Sequence, residues 1–171
     1  MRYRTLALSE CSANTQIAYR LGDKLAGALG PDYRLDVRHC GSNSECLKSL
    51  NSYTRASRRG GGPRDKPGTV VALIDYEIET GARRYVENFI RDNECECTPP
   101  NRGLTCCRCR GGRVLLVLFE GGPEEVLERL GYRLSPVDRQ VLKSRPERRP
   151  KLINTLVEHV VSVCTPYLSP S

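Results

Sequence analysis

The stretch Thr69-Val70-Val71-Ala72-Leu73-Ile74-Asp75-Tyr76-Glu77 constrains the fold more than any other part of the chain. Residues 70–74 are all apolar and mostly β-branched, with no polar residue to face water on either side. Such a run reads as a strand buried on both faces, the pattern of a parallel sheet covered by helices. It then stops at two carboxylates, Asp75 and Glu77. Open α/β sheets bind their ligands at the carboxyl ends of the strands, so this acidic tip is the first candidate for a site.

The surrounding sequence supplies the rest of such a sheet. Residues 4–10, ending in Glu10, predict a first strand. Ser12 and Asn14 are candidate N-caps. Ile17, Ala18, Leu21, Leu25, Ala28 and Leu29 then recur at helical spacing over 14–29. Residues 33–39 alternate apolar and polar, as a half-exposed edge strand does. A weaker helix is expected over 43–57, and another over about 80–91 burying Ala82, Tyr85, Val86, Phe89 and Ile90. Residues 113–120 repeat the fully apolar pattern and again end in an acid, Glu120. Pro123 suits a first helical position, with Glu124 and Glu125 as N-terminal charges facing water. Ser135-Pro136 opens a further short helix, and 151–164 carries an apolar stripe from Leu152 to Cys164.

Strands alternating with helices predict an α/β, Rossmann-like three-layer domain with a mainly parallel sheet. Its boundaries are expected at 1–150, with a Cys-rich insertion at 94–112. A C-terminal amphipathic helix and tail follow at 151–171. The helix is expected to pack on the core, or else to form a homodimer. Right-handed crossovers bring every parallel strand's carboxyl end to one rim, which would gather Glu10, Asp75, Glu77 and Glu120. The chain has 171 residues, 39% of them hydrophobic, which is enough for one core. No apolar run approaches the ~18 residues of a membrane span. The first residues do not read as a secretory signal, so a cytoplasmic protein is expected.

The net charge of +7 is patchy. Residues 55–66, 102–113 and 143–151 each carry +4, leaving −5 for the remainder. Basic patches of this kind suit a polyanion such as DNA or RNA. Arg58, Arg59 and Arg64 in a Gly-rich loop, with Arg108 and Arg110 in the Cys-rich segment, are the candidate contacts.

Five of the nine cysteines fall within 95–109, and an odd total argues against a closed disulfide framework. Cys95, Cys97, Cys106 and Cys109 are candidate ligands of one structural Zn2+. Cys107 is then spare, and a disulfide is the alternative. Cys11, Cys40, Cys46 and Cys164 are expected to be core or spare thiols. With only His39 and His159, no Ser/His/Asp arrangement is available, and no phosphate-binding Gly-rich motif is present.

Several carboxylates on one rim repel unless a cation lies between them. Oxygen-only ligands favour Mg2+ or Mn2+. A glutamate after the first strand, then a helix, then an apolar strand ending in Asp-x-Asp is the pattern of the Toprim family of topoisomerase-primase domains, OLD-type nucleases and RNase M5-type maturases, which this chain resembles with Glu77 in place of the second Asp. The matching residues are Leu6-Ala7-Leu8-Ser9-Glu10 and Val71-Ala72-Leu73-Ile74-Asp75-Tyr76-Glu77. Phe119-Glu120 with Glu124-Glu125 is similar to the later strand and acidic helix start of OLD-like members. The resemblance covers roughly residues 4–130. It implies a Mg2+-dependent nuclease or related nucleic-acid enzyme. Glu10 would be acid/base or ligand, Asp75 and Glu77 metal ligands, and Glu120 accessory. The alternative is a catalytically inactive, zinc-stabilised nucleic-acid-binding or assembly protein.

Overall fold

The computed structural model describes residues 3–29, 33–58, 69–76, 82–109 and 114–168. In chain order the first elements are β1 (Tyr3–Ser9), α1 (Ser12–Leu29), β2 (Tyr33–His39), α2 (Asn43–Arg58) and β3 (Thr69–Tyr76). They are followed by α3 (Ala82–Asp92), β4 (Glu96–Cys97), β5 (Leu104–Arg108) and β6 (Val114–Glu120). The chain closes with α4 (Pro123–Arg129), α5 (Pro136–Ser144), a 3-10 turn (Pro146–Arg148) and α6 (Pro150–Leu168).

The strands form one six-stranded sheet in the order β2-β1-β3-β6-β5-β4. β2, β1, β3 and β6 run parallel, while β5 and β4 add on antiparallel. β3 therefore has a parallel neighbour on each side, as its uninterrupted apolar run requires. Its residues alternate between two cores. Val71 and Leu73 pack with Ile17 and Leu21 of α1, Val126 and Leu127 of α4, Leu142 of α5 and Leu156 and Val160 of α6. Val70, Ala72 and Ile74 pack with Leu47 and Leu50 of α2 and Val86 and Phe89 of α3. The result is three layers, helix–sheet–helix, in a Rossmann-like layout.

The C-terminal helix is spent inside the chain. Ile153, Leu156, Val157, Val160 and Cys164 are all buried on the sheet, the four aliphatic side chains each contributing about 1.5–3 kcal/mol by burial. This uses up the stripe that a homodimer through α6 would need. The α3 stripe is narrower than expected: Val86 and Phe89 are buried, but Tyr85 is 60% exposed. α5 starts where Ser135-Pro136 predicts, and the Ser135 and Asp138 side chains close a capping box. No described helix is long and apolar enough to cross a membrane.

The Cys-rich segment is continuous with the main sheet. β5 pairs with β6 and β4 with β5, so the hairpin extends the main sheet. Eight of the nine cysteines are joined in disulfides: Cys40–Cys46, Cys95–Cys109, Cys97–Cys107 and Cys106–Cys164. Cys11 alone is free. This corrects two expectations. An odd count left one thiol over without preventing the rest from pairing, and Cys40, Cys46 and Cys164 are bridged. Cys106 also leaves the set expected for zinc. Strand side chains alternate faces, which puts Cys107 with Cys95, Cys97 and Cys109. Cys106 points through the opposite face into the α6 core.

Candidate functional site

The site begins with topology. β1 leads through α1 to β2 on one side, and α2 then returns the chain to β3 on the other side of β1. α1 lies on one face of the sheet and α3, which follows β3, on the other. The loops leaving β1 and β3 thus part to opposite faces, which opens a crevice at a topological switch point, where α/β sheets bind ligands. Glu10 follows β1 directly and Asp75 is the penultimate residue of β3.

The Glu10 carboxylate is tied to the backbone of β3. The Asp75 backbone N–H donates to Glu10 Oε2 at 2.9 Å. The Asp75 carboxylate is gripped from the first turn of α1, where Asn14 Nδ2 donates to Asp75 Oδ1 at 2.9 Å. The same amide reaches the Leu73 carbonyl at 3.4 Å. From the start of α2, Asn43 Nδ2 donates to the Asp75 carbonyl at 3.0 Å. Both asparagines keep a buried amide oxygen, Oδ1, with no hydrogen-bond partner. A buried polar atom left unpaired is costly, and the two belong to side chains that hold the tip of β3, one at the Asp75 carboxylate and one at its backbone carbonyl.

A further acid joins from the first turn of α4, which follows β6. The chain turns through Gly121 and Gly122 into α4. Gly122 has φ 91° and ψ 173°, a region essentially reserved for glycine. A Cβ there would lie 3.7 Å from Asp75 Oδ2 and 3.8 Å from Glu124 Oε2, so these carboxylates flank one glycine. The Glu124 pKa is raised, first by burial and against the pull of Lys143, with Asp75 adding repulsion. Expected to be a solvated N-terminal charge, Glu124 is instead part of the rim. Cys11 lies here too. Burial and then the Asp75 charge push its thiol up to about 12, so it stays protonated at neutral pH and is no nucleophile.

The remaining candidates disperse. Glu120 reaches the same rim, but its carboxylate pairs with Arg129 at 3.0 Å. Glu77, Arg59, Arg64 and Arg110 lie outside the described residues, and of Arg58 only its place at the end of α2 is described. Arg108 is half-buried, 3.7 Å from Glu96 and stacked over the Tyr167 ring at 5.1 Å. Among the described residues, no three His, Cys, Asp or Glu side chains are arranged to hold a metal ion. A cleft of 330 Å³ lies beside the first turns of α1, lined by Ser12, Thr15, Gln16, His39, Ser144, Pro146 and Glu147.

Asn14 and Asn43 carried no functional signal in the sequence, because Asn at a helix start reads as a cap. Comparison with protein-family models, with curated proteins and with solved structures finds no match.

Proposed function

We propose that the acidic rim is a Toprim-like, Mg2+-dependent site for phosphodiester chemistry on DNA or RNA. The observation that carries this is the Glu10 carboxylate seated on the Asp75 backbone N–H, 2.9 Å away, at the switch point between β1 and β3. The Glu10 and Asp75 carboxylates are oxygen donors of the kind a hard cation takes, and the Asn14 amide oxygen beside Asp75 has no hydrogen-bond partner. Mg2+ is commonly held by one or two protein carboxylates, the remaining positions going to water and substrate phosphate. Glu10 and Asp75 meet that need, with Glu77 two residues on as a further ligand. When bound, the ion supplies Lewis-acid polarisation of a phosphoryl oxygen.

The chain's own residues do the rest. The Asp75 N–H fixes the Glu10 carboxylate, which then takes or returns a proton at Oε1 or Oε2. Asn14 holds Asp75 in one orientation. Glu124, whose pKa burial raises, stands beside Asp75 across Gly122. The hydroxyl of Ser12 and the amide of Gln16 offer donors to a phosphate backbone lying in the neighbouring cleft. The basic segments hold the polyanion.

The test is incubation with single- and double-stranded DNA and RNA in Mg2+ or Mn2+. Turnover is expected, and Asp75→Ala should abolish it. Activity untouched by that change removes the proposal. The Glu120–Arg129 ion pair takes one rim acid out of the set and favours a second reading, a nucleic-acid-binding or assembly protein without catalysis. That reading predicts salt-sensitive binding that survives Asp75→Ala and no turnover with any metal.

A further inference from the structure

We propose that the β4–β5 ladder carries a zinc site of four thiolates, Cys95, Cys97, Cys107 and Cys109, for which the two disulfides are the oxidised alternative. The register makes the case. Cys97 faces Cys107 directly, and Glu96 faces Arg108. Continuing the ladder by one step sets Cys95 opposite Cys109, as their disulfide confirms. All four thiols therefore share one face, with the Glu96–Arg108 ion pair between them on the other. Facing Cα atoms lie 3.9 and 4.0 Å apart, and cysteines two apart on a strand are separated by about 6.6 Å.

Tetrahedral zinc with Zn–S near 2.3 Å needs sulfurs roughly 3.8 Å apart. From these backbone positions, facing sulfurs need only separate beyond bonding distance, and sulfurs along each strand need only lean together. Cys107 and Cys109 are buried against Val114, Leu116 and Phe89 of one core, and Cys95 is half-buried. Cys97 is exposed and gives the ion a way in. Cys106 cannot take part, because it faces the opposite core and reaches Cys164.

The exchange balances. Each disulfide takes two electrons and two protons from a dithiol reductant, which itself becomes a disulfide. Zn2+ then binds the four thiols and releases four protons, leaving a site of net charge −2. Loss of the ion and transfer of the four electrons to disulfide oxidants restores both bridges. Whether the hairpin is held by covalent bonds or by a metal is thus set by the redox poise around the protein.

The experiment uses the full chain, fully reduced under anaerobic conditions and titrated with Co2+ and then Zn2+. One ion per chain is expected, with a thiolate-to-cobalt charge-transfer band that zinc abolishes. The oxidised protein should bind neither metal there. Cys107→Ser should weaken binding by more than about tenfold, the least that even an outer-shell partner costs, while Cys106→Ser should leave it intact. Under reduction neither variant has the Cys106–Cys164 bridge, so the comparison is even. A second measurement needs no variant: zinc should protect Cys97 from alkylation in the reduced wild-type protein. No metal uptake after reduction, loss of binding with Cys106→Ser rather than Cys107→Ser, or an unprotected Cys97 would each overturn the proposal.

Discussion

Asn14 and Asp75 meet at 2.9 Å although 61 residues of chain separate them. The bond joins α1 to the tip of β3 and aligns a carboxylate that must work in a crevice. Removing the amide leaves a half-buried charge short of one donor, and hydrogen bonds to charged groups are worth about 1.5–3 kcal/mol. Asn14→Ala should lower stability by that amount in urea unfolding and reduce rim activity with it. Asn14→Asp should cost more, because it sets two carboxylates side by side. The folded pair would bind a proton more tightly than the unfolded chain does. The penalty is therefore absent below the ordinary carboxylate range and grows as pH rises through it. Urea midpoints at acid and neutral pH check the sign.

Glu124 and Glu120 should respond oppositely to neutralisation. Glu124 has its pKa raised by burial and by Asp75. Its charge therefore opposes folding above the ordinary carboxylate range. Glu124→Gln is expected to raise the urea midpoint at pH 7 while lowering turnover, the trade-off typical of a working site. Glu120→Gln removes a partly exposed ion pair with Arg129, should cost under about 1 kcal/mol, and should leave turnover nearly unchanged. Equal effects of the two changes on activity would contradict the division of the rim drawn from the geometry.

Gly122 holds its place by backbone geometry rather than by crowding. A methyl group there would touch Asp75 Oδ2 and Glu124 Oε2 only at ordinary contact distances of 3.7 and 3.8 Å. The cost of Gly122→Ala is thus conformational, about 1–3 kcal/mol for a residue at φ 91° and ψ 173°. A thermal midpoint equal to wild type would show that the turn relaxes freely.

The layers were legible because two runs, in β3 and β6, are apolar without a break and can only be central strands. The acid after β1 and the acids of β3 and β6 followed from parallel strands sharing a rim. Asn14 was not legible. It has the residue type and position of a cap, and only the packing of α1 on the sheet turns it toward Asp75. Glu124 was marked by the resemblance but read from its residues as a solvated helix-start charge, because only the double-glycine turn brings it near Asp75. The pairing of Cys107 with Cys97 was in fact available. Cys95, Cys97, Cys107 and Cys109 keep one parity on two paired strands, and strand alternation excludes Cys106. The Cys106–Cys164 bridge spans 58 residues, and no local pattern announces a contact that depends on how α6 crosses β5.

That long bridge should dominate the covalent stability. Closing a loop of 58 residues removes more unfolded-state entropy than closing one of 6, as Cys40–Cys46 does. The loop-entropy relation gives about 4 kcal/mol for the first and about 2 kcal/mol for the second. Replacing both Cys106 and Cys164 by Ala should therefore lower the urea-derived stability of the oxidised protein about twice as much as replacing Cys40 and Cys46. An equal or reversed order would mean that closure of the long loop is not what the Cys106–Cys164 bridge contributes.

Cys11 offers a clean report on the charge of the rim, since it is the only free thiol of the oxidised chain. Its pKa of about 12, against 9.0 for an unperturbed thiol, lowers the thiolate fraction at pH 8 by roughly a thousandfold over those three units. Alkylation by iodoacetamide, followed by intact mass, should be slow at pH 8 and should still be rising at pH 11. Burial is the largest cause and the Asp75 charge the next. Asp75→Asn should accordingly speed the reaction without restoring the rate of an exposed cysteine. A rate that levels off below pH 9, or that ignores the charge at Asp75, would place Cys11 away from the carboxylates and dissolve the cluster that Glu10, Asp75 and Asn14 define.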